Sequence, residues 1–210
     1  MFGDIVFPKN NEEEFIVMAQ KLGYSALYFI YEYKNINQIE HLQDKIIQLK
    51  HKTKFEIIMG LKVKPNEIMK AKKFSDVIIC ESSDKNRWML EKTRKIILYN
   101  LEYQQRKDFI HHRNSGLNQI LCKFAYVNNI TIGISCSSLI NSKKKLRLLM
   151  FGRISQNIKL CRKYKVSMIF ASFAKNLYEM RSPFDIQSLA VTLGMPSIEA
   201  QKAVTFNPLK

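Results

Sequence analysis

The chain has 210 residues and a mass of 24.7 kDa, room for one large domain with a buried core but not for two comfortable ones. Hydrophobic residues make up 46% and charged residues 25%, a globular usage that excludes wholesale disorder and fibrous classes. Thirty-four Lys+Arg against 18 Asp+Glu leave a net charge of +16, which speaks of partners rather than of fold.

The period of the apolar residues switches repeatedly between two and about 3.6. A short strand at Ile5–Phe7 is followed by Asn11 and Glu14, spaced as a capping box, and then by a helical face of Phe15, Met18, Ala19 and Leu22. Gly23 stops that helix, and Ser25–Tyr31 reads as a buried strand. Ile39, Leu42, Ile46 and Leu49 form the next helical stripe, Phe55–Leu61 a third strand, and Pro65 opens a short helix ending near Phe74. Strands at Val77–Cys80 and Ile96–Tyr99 flank a short helix around Arg87–Glu91. Leu117, Ile120, Leu121 and Phe124 share an amphipathic face, and Ile130–Ser135 is the sixth strand. A long helix over about Lys144–Tyr164 turns Leu146, Met150, Ile154, Ile158 and Cys161 inward. A seventh strand at Met168–Ala171 and two short helices complete the pattern.

Strands separated throughout by helical segments make βαβ units and hence a parallel sheet. Their regular spacing of roughly 20 to 30 residues favours a closed barrel over an open doubly wound sheet. The expected fold is α/β: an irregular TIM-like barrel of about seven parallel strands, in a single domain over residues 1–210. Cys80, Cys122, Cys136 and Cys161 are far apart without a C-x-x-C pair, so they read as reduced core thiols. The first residues lack the basic start and apolar stretch of a signal peptide, and no apolar run approaches the roughly 18 residues that span a bilayer. The expectation is a soluble cytoplasmic protein.

Standard phosphate-cradling loops, H-E-x-x-H and G-x-S-x-G are all absent from the sequence. His41 and His51 fall on polar positions, and the adjacent His111 and His112 cannot both face one metal from a regular element. Phosphodiester hydrolysis by protein groups generally needs metal ions held by carboxylates or histidines, and no such set is evident.

The charge is uneven. Residues 1–104 carry +3, residues 105–210 carry +13, and six of the eight arginines lie at or beyond Arg106. A single-signed half is the footprint of a surface that meets a polyanion, most simply nucleic acid. Within it, Arg113–Asn118 precedes an amphipathic helix, with Asn114 or Ser115 as the natural N-cap. Arg113 beside a helix start suits a phosphate or a partner's carboxylate, or is simply a surface arginine beside a cap. Lys143, Lys144 and Lys145 open the long helix, where cations oppose the dipole and a phosphate backbone gives them a reason. Arg153 and Asn157 share a face of that helix, and Arg162 and Lys163 close it. Arg181 stands before a helix start in which Ser182 is N-cap, Pro183 is N1 and Asp185 is at N3; Gly194 ends that helix.

Together Arg113–Asn118, Arg153–Val166 and Arg181–Gly194, with Asn207-Pro208, resemble in sequence and order the TIM-barrel protein subunit of ribonuclease P, known in archaea as protein component 3. The likeness is strong over about residues 105–208 and weaker over 1–104. It implies a non-catalytic subunit of an RNA-based endonuclease that removes the 5′ leader of precursor tRNA. Catalysis would belong to the RNA and its bound Mg²⁺, with no cofactor on the protein itself. Its partners would be the catalytic RNA and other protein subunits, notably the ferredoxin-like component 2, with precursor tRNA contacted indirectly. The carried-over residues are Arg113, Asn114, Asn118, Arg153, Asn157, Arg162, Lys163 and Arg181, divided in an unspecified way between RNA and protein. The barrel is also similar to PHP-type metallophosphoesterases, whose first strand carries an H-x-H metal motif; here it reads Asp4-Ile5-Val6-Phe7-Pro8. A standalone PHP-like phosphoesterase is the rival reading, and a module whose basic half meets an acidic protein is a third.

Overall fold

The computed structural model describes residues 2–53, 55–103 and 107–205. Arg106 and Asn207-Pro208 lie outside them. Seven strands are present: β1 (Gly3–Val6), β2 (Ala26–Glu32), β3 (Glu56–Lys62), β4 (Val77–Glu81), β5 (Ile97–Tyr99), β6 (Thr131–Ser135) and β7 (Met168–Ala171). Each is parallel to the next, in sequence order. The helices between and after them are α1 (Glu12–Leu22), α2 (Ile36–Lys52), α3 (Ile68–Ala71), α4 (Asn86–Lys92), α5 (Gln119–Val127), α6 (Cys136–Asn141), α7 (Lys144–Lys163), α8 (Pro183–Thr192) and α9 (Ser197–Val204). The barrel expected from the sequence is therefore the one observed.

Its seam is narrow. Val6 pairs with Ala174, beyond the end of β7, and the Phe7 N–H donates to the Ala174 carbonyl at 2.8 Å. Deeper in the seam a side chain replaces the ladder, because the Ser172 N–H donates to Asp4 Oδ1 at 2.7 Å. Asp4 is fully buried and its Oδ2 has no hydrogen-bond partner among the described residues. Burial pushes its carboxyl up to about 7, against the pull of the Ser172 and Ile5 N–H donors.

Alternation along the strands sorts the side chains into two layers. Ile5, Tyr28, Ile30, Val77, Ile79, Ile97, Tyr99, Ile169, Ala171 and Phe173 fill the barrel. Opposite-facing residues pack beneath the helices, with Phe15, Ile16 and Ala19 of α1 and Ile46 and Leu49 of α2 in one cluster. Met150, Ile154, Ile158 and Cys161 of α7 join the other, while Leu42 and Leu146, expected inward, are only half-buried. All four cysteines are buried free thiols. Two glycines make room inside the barrel: a Cβ on Gly60 would lie 2.5 Å from Ile30 Cδ1, and one on Gly133 would lie 2.9 Å from Phe173 Cζ.

Three local expectations need correcting. Asn11 is the N-cap of α1, but its side chain accepts from the Lys9 N–H at 2.8 Å rather than from the helix. The start of α5 lies at Asn118, whose Oδ1 accepts from the Leu121 N–H at 2.9 Å, not at Asn114 or Ser115. Gly116, at φ +82°, turns the chain before the helix can begin. The short α6 was not expected; it follows β6 directly, and Ser135 caps it by accepting from the Ser138 N–H.

Two outcomes follow. Gly133→Ala overpacks the barrel and lowers stability by about 1–3 kcal/mol, read as a fall in Tm of roughly 2–12 °C. The Asp4 and Glu102 carboxyls, both fully buried, are each pushed by burial up to about 7 from unfolded values near 4. Groups whose pKa is raised on folding contribute their full stability below the unfolded pKa and lose it as pH rises through the folded one. The urea midpoint should therefore fall between about pH 4 and pH 7 and level off above, and Asp4→Asn with Glu102→Gln should flatten that decline.

Candidate functional site

The basic half is organised around one buried guanidinium. Arg153, on α7, is wholly buried; its Nε donates to Asp108 Oδ1 at 2.8 Å and its Nη1 to the Glu102 carbonyl at 3.1 Å. Residues three and four further on complete a helical face. Gln156 Nε2 donates to the Arg113 carbonyl and to Ser115 Oγ, both at 2.8 Å, and its Oε1 accepts from the Arg113 N–H at 3.0 Å. Asn157, also wholly buried, donates to the Ser115 carbonyl at 3.0 Å. The segment from Lys107 to Asn118 is thereby held against α7 by side chains. Its inner carboxylate, Asp108, also accepts from the Asn114 N–H at 3.0 Å and pairs with Arg113 at 3.4 Å. Burial pushes the Asp108 carboxyl up, but Arg153, the Asn114 N–H and Arg113 together hold it below the usual carboxylate range.

Arg153 and Asn157 accordingly hold the protein's own chain, Arg153 through the Asp108 carboxylate and the Glu102 carbonyl and Asn157 through the Ser115 carbonyl, and neither is exposed. Arg113 is different. Its side chain is 48% exposed and lies flat on Gly152, where a Cβ would come within 2.3 Å of the guanidinium carbon. Asn114 is half-buried and Asn118 exposed at the α5 cap. Asp108 is one of only four acids in the strongly basic half, and no short motif with another of them marks its role in the sequence.

The remaining predicted residues are spread around the barrel. Lys143, Lys144 and Lys145 are exposed at the start of α7 and form no ion pair with any described residue. Their neighbour Arg147 is committed to capping α6, donating to the carbonyls of Leu139, Ile140 and Ser142 at 2.8, 2.6 and 2.9 Å. At the other end of α7, Arg162 pairs with Glu199 at 2.8 Å, and the Lys163 ammonium sits 5.8 Å from the Tyr164 ring centre. Arg181 donates to the Tyr178 and Met180 carbonyls at 2.8 and 2.6 Å and keeps a half-buried guanidinium beside α8.

Barrel enzymes carry their reacting groups at the C-terminal mouth. Here Tyr99 and Phe173 stack with ring centres 4.8 Å apart, and Phe7 leans on both at 6.2 and 6.3 Å. Lys62 Nζ lies 5.9 Å from the centres of the Phe7 and Tyr99 rings and pairs with Glu81 at 2.7 Å. Asn100 donates to the same carboxylate at 3.1 Å and accepts from Ser138 Oγ at 2.8 Å. An ammonium on an aromatic plug is the wrong chemistry for a metal-holding mouth. Among the described residues, no three His, Cys, Asp or Glu side chains gather anywhere.

Arg153→Met should cost about 1–3 kcal/mol, because the half-buried Asp108 carboxylate and the Glu102 carbonyl lose the hydrogen bonds of a wholly buried guanidinium. Limited proteolysis should then cut within residues 107–118. Arg113→Ala, removing a half-exposed pair, should cost no more than about 1 kcal/mol.

Similarity to known proteins agrees with this arrangement. The chain is 29% identical over 209 residues to ribonuclease P protein component 3 of Methanosarcina barkeri, covering 95% of this chain and 82% of that one. It is 25% identical over 202 residues to the same component of Methanothermobacter thermautotrophicus, covering 92% and 80%. Its fold matches a subunit in the cryo-EM structure of archaeal ribonuclease P with mature tRNA at a TM-score of 0.75, with 20% identity over 95% of this chain and 85% of that one. Residues 1–210 match the family described as RNase P subunit p30, and the chain belongs to that family.

Proposed function

We propose that this protein binds and stabilises the catalytic RNA of ribonuclease P, and that the RNA, with bound Mg²⁺, removes the 5′ leader from precursor tRNA. The observation that carries the reading is the exposed cationic run Lys143–Lys145, free of ion pairs among the described residues, on a family member of net charge +16. Unneutralised cations at a helix start oppose the dipole, and a phosphate backbone relieves both costs. Arg113, Asn114, Asn118, Arg162, Lys163 and Arg181 remain the candidate contacts to RNA or to the ferredoxin-like component 2. Arg153 and Asn157 act indirectly, by fixing the segment that presents Arg113. The protein supplies no cofactor site of its own in this reading, and works in the cytoplasm. The Lys62–Glu81 pair over the aromatic plug argues against the rival metal-dependent phosphoesterase.

Reconstitution tests this. Adding the chain and its protein partner to the RNA should raise precursor-tRNA cleavage, and the chain alone should cleave nothing. Binding to the RNA should weaken with salt at a slope of about 0.7–0.9 per phosphate contact. Cleavage unchanged by leaving the chain out would overturn the proposal.

A further inference from the structure

The barrel has a second concave face, at the N-terminal ends of β4 to β7. A cleft of about 1520 Å³ opens there, bounded by the turns that lead into those strands and by α9. Lys95 lies in the turn before β5, Lys165 in the turn before β7, and Lys202 on α9. All three are exposed, and none forms an ion pair with a described residue. The cleft contains two carboxylates, and Glu199 is already engaged by Arg162, which leaves Asp76 as the other.

The cation crowding extends beyond the cleft wall. Lys72 donates to the Arg94 carbonyl. Burial first, then the neighbouring charges of Lys95 and Arg94, hold its ammonium below the usual lysine range. Three cations thus share a small region in which each raises the cost of the others, and an external polyanion would remove that repulsion. The cleft's exposed lining mixes polar and apolar surface: Asn129 and Ser167 accompany the cations, while Ile96, Val166 and Met195 are buried beneath them. Protein interface cores are depleted in lysine and enriched in aromatic residues, whereas this lining holds three lysines and no aromatic side chain.

We propose that this N-terminal cleft, through Lys95, Lys165 and Lys202, grips the phosphate backbone of an RNA strand. The proposal rests on the reading of the chain as an RNA-binding subunit and assigns it a surface that the first and third sequence motifs do not reach and the second reaches only through its last turn, Cys161, Arg162, Lys165 and Val166. The barrel then presents a sealed mouth at one end and a phosphate-binding cleft at the other.

The backbone supplies a clean test. Lys95 and Lys165 stand at φ +48° and +57°, a conformation that glycine adopts freely and lysine does not. Lys95→Gly with Lys165→Gly therefore removes both charges without straining the turns, and Lys202→Gln completes the set on the surface of α9. This triple variant should keep the wild-type melting temperature or exceed it. Its affinity for ribonuclease P RNA should drop at least tenfold, and the slope of log K against log salt should flatten by about 2 to 3. The matching triple arginine variant should retain affinity and slope. Wild-type protein that binds the RNA, with a folded Gly/Gly/Gln variant binding equally well, overturns the cleft alone. Wild-type protein with no salt-dependent RNA binding overturns the functional reading and the cleft together.

Discussion

The basic half of the molecule depends on the Arg153–Asp108 pair. A wholly buried guanidinium is costly to desolvate, and a buried pair of this kind adds little net stability over well-packed apolar residues. What it adds is position. Asp108 takes the Arg153 Nε, the Asn114 N–H and the Arg113 guanidinium, so one carboxylate connects α7, the preceding segment and the exposed arginine. Gln156 and Asn157 bind the same segment one turn along the helix. Without this clasp the stretch between β5 and α5 would be a long loop with few apolar anchors, and Arg113 would have no fixed place to stand.

The barrel itself is closed with similar economy. Seven strands leave a seam that, among the described residues, backbone pairing bridges only at Val6 and Ala174, and the Asp4 carboxylate takes the Ser172 N–H where the ladder is missing. Inside, Gly60 and Gly133 admit the side chains of neighbouring strands, and the stacked Tyr99 and Phe173 rings fill the upper end. Lys62 then lays its charge on that aromatic surface. A barrel filled in this way carries an ammonium–carboxylate pair over aromatic rings at the end where barrel enzymes place their reacting groups.

The seven strands and the main helices were legible because each buries one face and so imposes its period on the sequence. Position within the tertiary structure was not legible. Arg153 and Asn157 stand out in sequence as an exposed-looking polar pair at helical spacing; only the packing of the 107–118 segment over α7 shows that both are covered. Asn114, Ser115 and Asn118 are all good caps for α5, and Gly116 at φ +82° decides between them through a turn that propensity does not reveal. The short α6 has six residues, too few to show a period. Lys95, Lys165 and Lys202 are distant in sequence; parallel strands align the turns that carry the first two at their N-terminal ends, and α9 brings the third to the same cleft.

That alignment explains why the charge division noticed in the sequence is an incomplete guide to the surface. Lys72, Arg94 and Lys95 belong to the half whose charges nearly cancel, yet they lie at the same end of the barrel as Arg162, Lys165 and Lys202 from the strongly basic half. In a parallel barrel, every turn before a strand reaches the same end, whatever its place in the chain. Charges that are distant along the sequence can thus be brought together in space, as Lys95, Lys165 and Lys202 are at the N-terminal end. Lysine at two left-handed turn positions, where glycine or asparagine would fit with less strain, makes the same point at the level of the backbone. The electrostatic face of this protein is set by strand direction as much as by composition.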